Sequence, residues 1–344
     1  MKKILVEVNP YLEFMNSILL TSKYNEITKP DVGYGLMSEI SNEYTMAIKK
    51  HFEPYLGNEI YRTLENMIPN GFMFSRPVEL MLSLGKSNDF SMVYTPSDIC
   101  IKLCGGMDNM KKFLLMLKQF AQETNYFAFF DTVSNHYNSF IDKVIEHTQR
   151  YPFIPLLEDE FGTRQNSYNC IISSLMVGNF GIIFRNDKTN LADLYSVVTT
   201  EVVSDDIEKN EFNKGALSAN LVFHEFSHSF INPLTDKYFS IAEGYINAYE
   251  SLKKYKLPYF ESGYYDWKEC INEHFVRAMA IHLLIKCDRQ EWADEYLRDE
   301  LRCGYLYIPD ILERYKFYDQ NRLKYRTFED YYPQLLETFK TKID

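Results

Sequence analysis

Residues 221–233 read Leu221-Val222-Phe223-His224-Glu225-Phe226-Ser227-His228-Ser229-Phe230-Ile231-Asn232-Pro233. The apolar residues of this run predict a mostly buried helix from about Ala216 to Ile231, closed by Asn232-Pro233. Inside it stands His-Glu-X-X-His. Residues four apart on a helix share a face, so His224 and His228 can aim both imidazoles at one point. Neutral imidazole is a good ligand for Zn²⁺, at about 2.0–2.1 Å. Glu225 lies about 100° round the helix from His224, beside such an ion and not on it, where it can act on water as a base. Two histidines and a glutamate in an apolar helix are costly to bury unless paired, and a metal ion pairs them.

A zinc hydrolase takes three protein ligands and keeps a fourth position for water. A third histidine six residues on, after an intervening glycine, is absent, because Ser229-Phe230-Ile231-Asn232-Pro233-Leu234 follows His228. The remaining donors lie on later helices: Glu243, Glu250, Glu269, Glu273, His274 and His282. Trp267–Cys287 is the longest apolar helical run there, with a stripe of Ile271, Phe275, Ala278, Met279 and Leu283. A glutamate buried on it needs a cation, which favours Glu273, with Glu243 and Glu269 next. Arg277, one turn on, either orients Glu273 or sits at the surface as its i,i+4 partner.

Outward from these segments the chain shows no repeats, no low-complexity tract and no Gly/Pro/Ser linker. Tyr168–Met176, Phe180–Phe184 and Val197–Val203 are short, apolar and β-branched, and predict a small sheet within 166–203. Helical patterning fills about Tyr11–Ser22, Leu36–Phe52, Met110–Phe130 and Val133–Thr148, and the weak alternation of Ile4–Val8 predicts a strand. From Lys214 the chain reads as helical to its end. The expectation is an α+β fold, mostly helical, with a small sheet beside the helix that carries the motif. Its organisation is a helical region at 1–150 and a catalytic region at 151–344, the latter made of that sheet and helices over 214–344, all in one compact unit.

Together, His224-Glu225-Phe226-Ser227-His228-Ser229-Phe230-Ile231-Asn232-Pro233 and the later Asn272-Glu273-X-X-X-Arg277-Ala278 resemble the gluzincin metallopeptidases. More closely they resemble the bacterial family named domain of unknown function 4932, which Gly178-Asn179-Phe180-Gly181 and Cys303-Gly304-Tyr305 also fit. The resemblance implies a zincin-like fold, with His224, His228 and Glu273 as zinc ligands and Glu225 as general base. It also implies an edge strand, here Phe180–Phe184, that binds an extended peptide substrate.

The reaction expected is peptide-bond hydrolysis by an activated water. Tyr305, Tyr307, Tyr264, Tyr265 and His282 are the available oxyanion donors, and Tyr305 is our choice among them. Two other classes compete: a zinc-binding module without hydrolysis, and a structural helical protein in which the motif is accidental. The 344 residues include 37 basic and 48 acidic side chains with no basic stripe, which argues against a nucleic-acid partner. No apolar run approaches a membrane span, and Met1–Val6 gives way too soon to Glu7, Asn9 and Pro10 for a signal sequence. The chain as written reads as cytoplasmic, as would one from which a leader had been removed. Six cysteines without CxxC spacing read as buried free thiols, and 27 tyrosines as half-buried packing with hydroxyls at the surface. Oligomeric state is not encoded in any pattern found.

Overall fold

A computed structural model describes residues 3–32, 35–186, 188–189, 191–200, 222–254 and 266–340. The chain opens with strand β1 (Ile4–Glu7) and ten helices: α1 (Pro10–Thr21), α2 (Tyr24–Val32), α3 (Glu43–Phe52), α4 (Glu59–Met67), α5 (Ser75–Leu82), α6 (Asp98–Leu103), α7 (Met107–Glu123), α8 (Tyr126–Val133), α9 (Asn138–Arg150) and α10 (Phe153–Phe161). Strands β2 (Ser167–Ser173), β3 (Phe180–Arg185) and β4 (Ala192–Thr199) follow. The last described part holds α11 (Glu225–Ala242), α12 (Ile246–Lys254), α13 (Trp267–Lys286), α14 (Gln290–Cys303), α15 (Ile308–Gln320) and α16 (Phe328–Leu335). This is a mostly helical α+β fold.

The sheet is mixed, in the order β1-β2-β4-β3. β1 runs parallel to β2 (Ile4 opposite Tyr168) and β2 parallel to β4 (Ser167 opposite Asp193), while β3 runs antiparallel to β4 (Phe180 opposite Val197). All ten N-terminal helices are thus threaded between two adjacent parallel strands. Burial alternates along β3, as expected of an edge strand, and is nearly continuous along the central β2.

Local chemistry explains where several helices differ from their expected bounds. α1 begins as read, because the Asn9 side chain accepts from Tyr11 N and Leu12 N and Pro10 takes the first turn. α3 starts at Glu43 instead of Leu36, since Asn42 and Thr45 form a capping box. The residues before it are taken by the sheet end, where Ser38 N donates to Leu175 O and Val177 N to Leu36 O. The single helix expected over Met110–Phe130 is two, broken at Asn125 with φ 48°.

The largest correction concerns α11. It does not close at Asn232-Pro233 but runs through Pro233 to Ala242, with a kink marked by Tyr238 (φ −106°, ψ 16°). Pro233 cannot donate to the Ser229 carbonyl, a local cost of about 3 kcal/mol. Tertiary contacts outweigh it: Thr235 is fully buried between Asn272 and Tyr332, and Trp267 Nε1 donates to Ala242 O at 2.8 Å. The expected start near Ala216 lies outside the described residues.

The buried side chains form one continuous cluster spanning both halves of the chain. Phe14 meets Phe52, Phe90, Phe120 and Tyr126. Many tyrosines do not hold their hydroxyls at the surface. Tyr315 and Tyr318 are fully buried and donate to Phe275 O and Glu160 O, which satisfies those groups internally. None of the six cysteines is in a disulfide; four are buried, Cys287 is half-buried and Cys303 is exposed. Among the described residues no helix is long and apolar enough to cross a membrane.

Candidate metal centre

The His-Glu-X-X-His motif begins in a π-type turn over residues 222–224, whose last residue is His224, and continues into the first turn of α11. Such turns recur at functional sites, because one extra residue in the winding re-aims a side chain. Three aromatic side chains fix the helix from other sides. Phe223 packs on Phe153, Phe230 stacks on Phe161, and Phe226 meets Tyr168 of β2 edge-on. The remaining face carries His224 and His228 towards α13. β3 crosses the same helix closely at Gly181. A Cβ there would lie 2.6 Å from Glu225 O and 3.2 Å from His228 Cβ, so the crossing requires glycine.

His224 Nε2 and His228 Nε2 are 3.1 Å apart. Glu273, from α13, brings Oε1 to 3.4 Å from His228 Nε2 and Oε2 to 3.8 Å from His224 Nε2. A tetrahedral ion with bonds of about 2.0–2.1 Å has ligand-to-ligand edges of about 3.3–3.4 Å. The three separations, 3.1, 3.4 and 3.8 Å, bracket that edge, with the two glutamate distances made by different oxygens. Glu225 Oε1 is 3.9 Å from His224 Nε2, alongside the triangle.

The surrounding residues hold the donors in this attitude. Asn232 Oδ1 lies 3.1 Å from His228 Nδ1. An amide oxygen only accepts, so Nδ1 carries the ring proton and Nε2 presents its lone pair. Arg277 Nε donates to Glu273 Oε2 at 3.1 Å, and its Nη1 reaches both oxygens of buried Glu300 on α14, at 2.7 and 2.9 Å. The ring of Tyr305 lies under this guanidinium at 4.2 Å. Arg277 is not a surface charge: it is largely buried and pairs with both Glu273 and Glu300. Asn272 does not face the donors; its side chain accepts from Thr235, which also bonds Tyr332 and so joins α11, α13 and α16.

Burial sets the protonation of the site when no ion is bound. It drives His224 well below the usual histidine range, helped by neighbouring His228 and Arg277, and so keeps the imidazole neutral and ligand-competent. Burial and then the charge of Glu273 push Glu225 well above the usual carboxylate range, against a smaller opposing effect from Arg277.

The other residues weighed from sequence lie elsewhere. Glu243, Glu250 and Glu269 are exposed. His274 is fully buried against Tyr305 and Tyr307. His282 faces Glu160 and Asp319. Tyr264 and Tyr265 fall outside the described residues. Sequence reasoning missed Asn232, Gly181 as a close-approach residue, and Glu300. Asn232 was within reach of an i,i+4 argument from His228, had the helix not been ended there. Glu300 carried no local signal.

The fold and this cluster define a mostly helical α+β protein with two histidines and a glutamate gathered by two packed helices. The chain belongs to the family described as domain of unknown function (DUF4932), whose model matches residues 4–338. No curated protein and no solved structure matches the chain.

Proposed function

We propose that the protein is a gluzincin-like, zinc-dependent peptidase, with His224, His228 and Glu273 as metal ligands and Glu225 as general base. The observation that carries this reading is the convergence of three donors from two helices at separations of 3.1, 3.4 and 3.8 Å, with a buried carboxylate beside them. Two neutral imidazoles and one carboxylate are a donor set suited to zinc. A zinc ion held there supplies a Lewis acid and lowers the pKa of water to about 7.

The protein's own groups do the rest. Glu225 takes a proton from the attacking water at its carboxylate and returns it to the leaving amine nitrogen. Burial and then the charge of Glu273 raise its carboxyl above the ordinary range, and a cation alongside would lower it again. Arg277, anchored by Glu300, takes up Glu273 Oε2 and so leaves Oε1 towards His228. β3 lies at the sheet edge against α11, where an extended peptide can add a strand. Tyr305 is the oxyanion donor in this reading.

The test is hydrolysis of a mixed peptide library by zinc-loaded protein. Glu225→Gln is expected to keep the metal and lose about 10²–10⁴-fold in rate, and Tyr305→Phe in the same assay tests the oxyanion donor. A wild-type protein that binds zinc yet cleaves nothing across the library sinks the peptidase reading and leaves a non-hydrolytic zinc-binding module.

A further inference from the structure

We propose that Glu160, His282 and Asp319 form a second metal site, which holds a divalent transition ion and clamps α10, α13 and α15 together. One donor atom from each residue lies within 4.8 Å of the others. His282 Nε2 is 3.1 Å from Asp319 Oδ2 and 3.6 Å from Glu160 Oε1, edge lengths that bonds of about 2.0–2.2 Å produce.

Two of these atoms are buried with no well-aligned hydrogen bond. Glu160 Oε1 and His282 Nε2 have only the 3.6 and 3.1 Å contacts of this cluster, and they share one point in it. Glu160 is fully buried and His282 is 4% exposed. A carboxylate oxygen left in that state is expensive, and one ion between the two atoms satisfies both.

The rest of the cluster is arranged around that point. Lys286 Nζ takes the outer oxygens, Glu160 Oε2 at 2.6 Å and Asp319 Oδ1 at 3.1 Å, which turns Oε1 and Oδ2 towards the imidazole. The Glu160 backbone is pinned as well, since its carbonyl accepts from Tyr318 Oη and Arg322 Nη1, both at 2.9 Å. Burial lowers the His282 imidazole, but Asp319 and Glu160 raise it on balance above its ordinary value, so an entering cation displaces its proton. With the imidazole neutral, two carboxylates against one ammonium leave a negative charge for that cation to meet. One imidazole with two carboxylate oxygens suits Zn²⁺ or Mn²⁺ better than Ca²⁺ or Cu⁺. Asp319, 30% exposed, provides the way in.

This site is independent of the first. His282 is nine residues beyond Glu273 on α13, half a turn round the helix, and so faces away from it. Its role is structural, because it fixes the far face of the helix that carries Glu273.

Zinc titration of four proteins tests the proposal by calorimetry and thermal melting near neutral pH. His224→Ala/His228→Ala removes the first site and is expected to bind about one equivalent of zinc. Its Tm should rise by about 5 °C at a hundredfold excess over Kd. Adding His282→Asn should abolish both effects. Asp319→Asn on the double variant, a milder change at a half-exposed position, should weaken binding by about tenfold or more. His282→Asn alone should keep one equivalent at the first site, so failure of either site is read separately. If the double variant takes up less than about a tenth of an equivalent and its Tm does not move, the site is no metal site. The cluster is then an ion network closed by a protonated His282.

Discussion

At His228 the useful nitrogen is chosen by a neighbour. Asn232 Oδ1 beside Nδ1 fixes the ring's tautomer and attitude, and it does so from the same helix, one turn on. Asn232→Ala is therefore expected to weaken zinc binding by about 10–100-fold in chelator competition, with the far-UV circular dichroism unchanged. Unaltered affinity would show that something else orients the ring. Arg277 and Glu300 make the corresponding arrangement for Glu273. Both are largely buried, and the single nitrogen Nη1 reaches both carboxylate oxygens. Glu300→Ala leaves Arg277 short of its main partner and should cost about 3–5 kcal/mol in urea unfolding, besides loosening Glu273. Glu300→Gln, which keeps the shape, should cost less. Equal losses in the two variants would mean that charge pairing is not what holds Arg277.

Between elements, the decisive contact is β3 on α11. Gly181 lets the strand backbone approach the helix at the two residues that matter, Glu225 and His228. Gly181→Ala must push strand from helix by several tenths of an ångström. It is expected to destabilise the fold by about 1–3 kcal/mol and to lower zinc affinity as well. A variant that melts earlier but binds zinc as tightly as wild type would separate the strand from the donors. α11 and α13 are held in register by the Thr235–Asn272–Tyr332 link in the middle and by Trp267 on Ala242 O at the end. This bracing sets the distance between the imidazoles and Glu273, and it lies beyond the proline at which the local pattern predicts the helix to stop.

Across the whole molecule, the N-terminal helices are joined to the sheet by a buried polar group as well as by apolar packing. Glu13 on α1 is fully buried, and its Oε2 accepts from Tyr44 and Tyr137 at 2.7 and 2.6 Å. Tyr137 also receives Ser174 N, just past β2. Burial raises the Glu13 carboxyl above its ordinary 4.5, against the lowering effect of these hydrogen bonds. A carboxyl raised in the folded state binds its proton more tightly there than in the unfolded chain. Its stabilising share is therefore complete below pH 4.5 and is lost as pH rises through the raised value. Urea unfolding from about pH 5 to about pH 8 should show wild type losing stability relative to Glu13→Gln. A constant difference over that range would place the Glu13 pKa where it started.

The sequence by itself determined the elements whose signal is periodic and local. His224 and His228 at i,i+4, the apolar stripe that carries Glu273, and the first two β-rich runs of the middle region are legible this way. The third strand is Ala192–Thr199 and not Val197–Val203, because its pairing with β2 starts at Asp193 opposite Ser167, and residues 201–203 lie outside the described residues. The capping box at Asn42 was legible too, though the longer helical pattern hid it. Tertiary structure alone decided the rest. β1 joins the sheet only through pairing with Tyr168–Ile171, more than a hundred residues away. α11 continues past Pro233 because Thr235 finds Asn272 and Tyr332. Arg277 is buried and paired, not a surface charge, because α14 brings Glu300 to it. Each of these rests on contacts between residues distant in the chain, and local propensity loses to such contacts wherever burial and hydrogen bonding outweigh it.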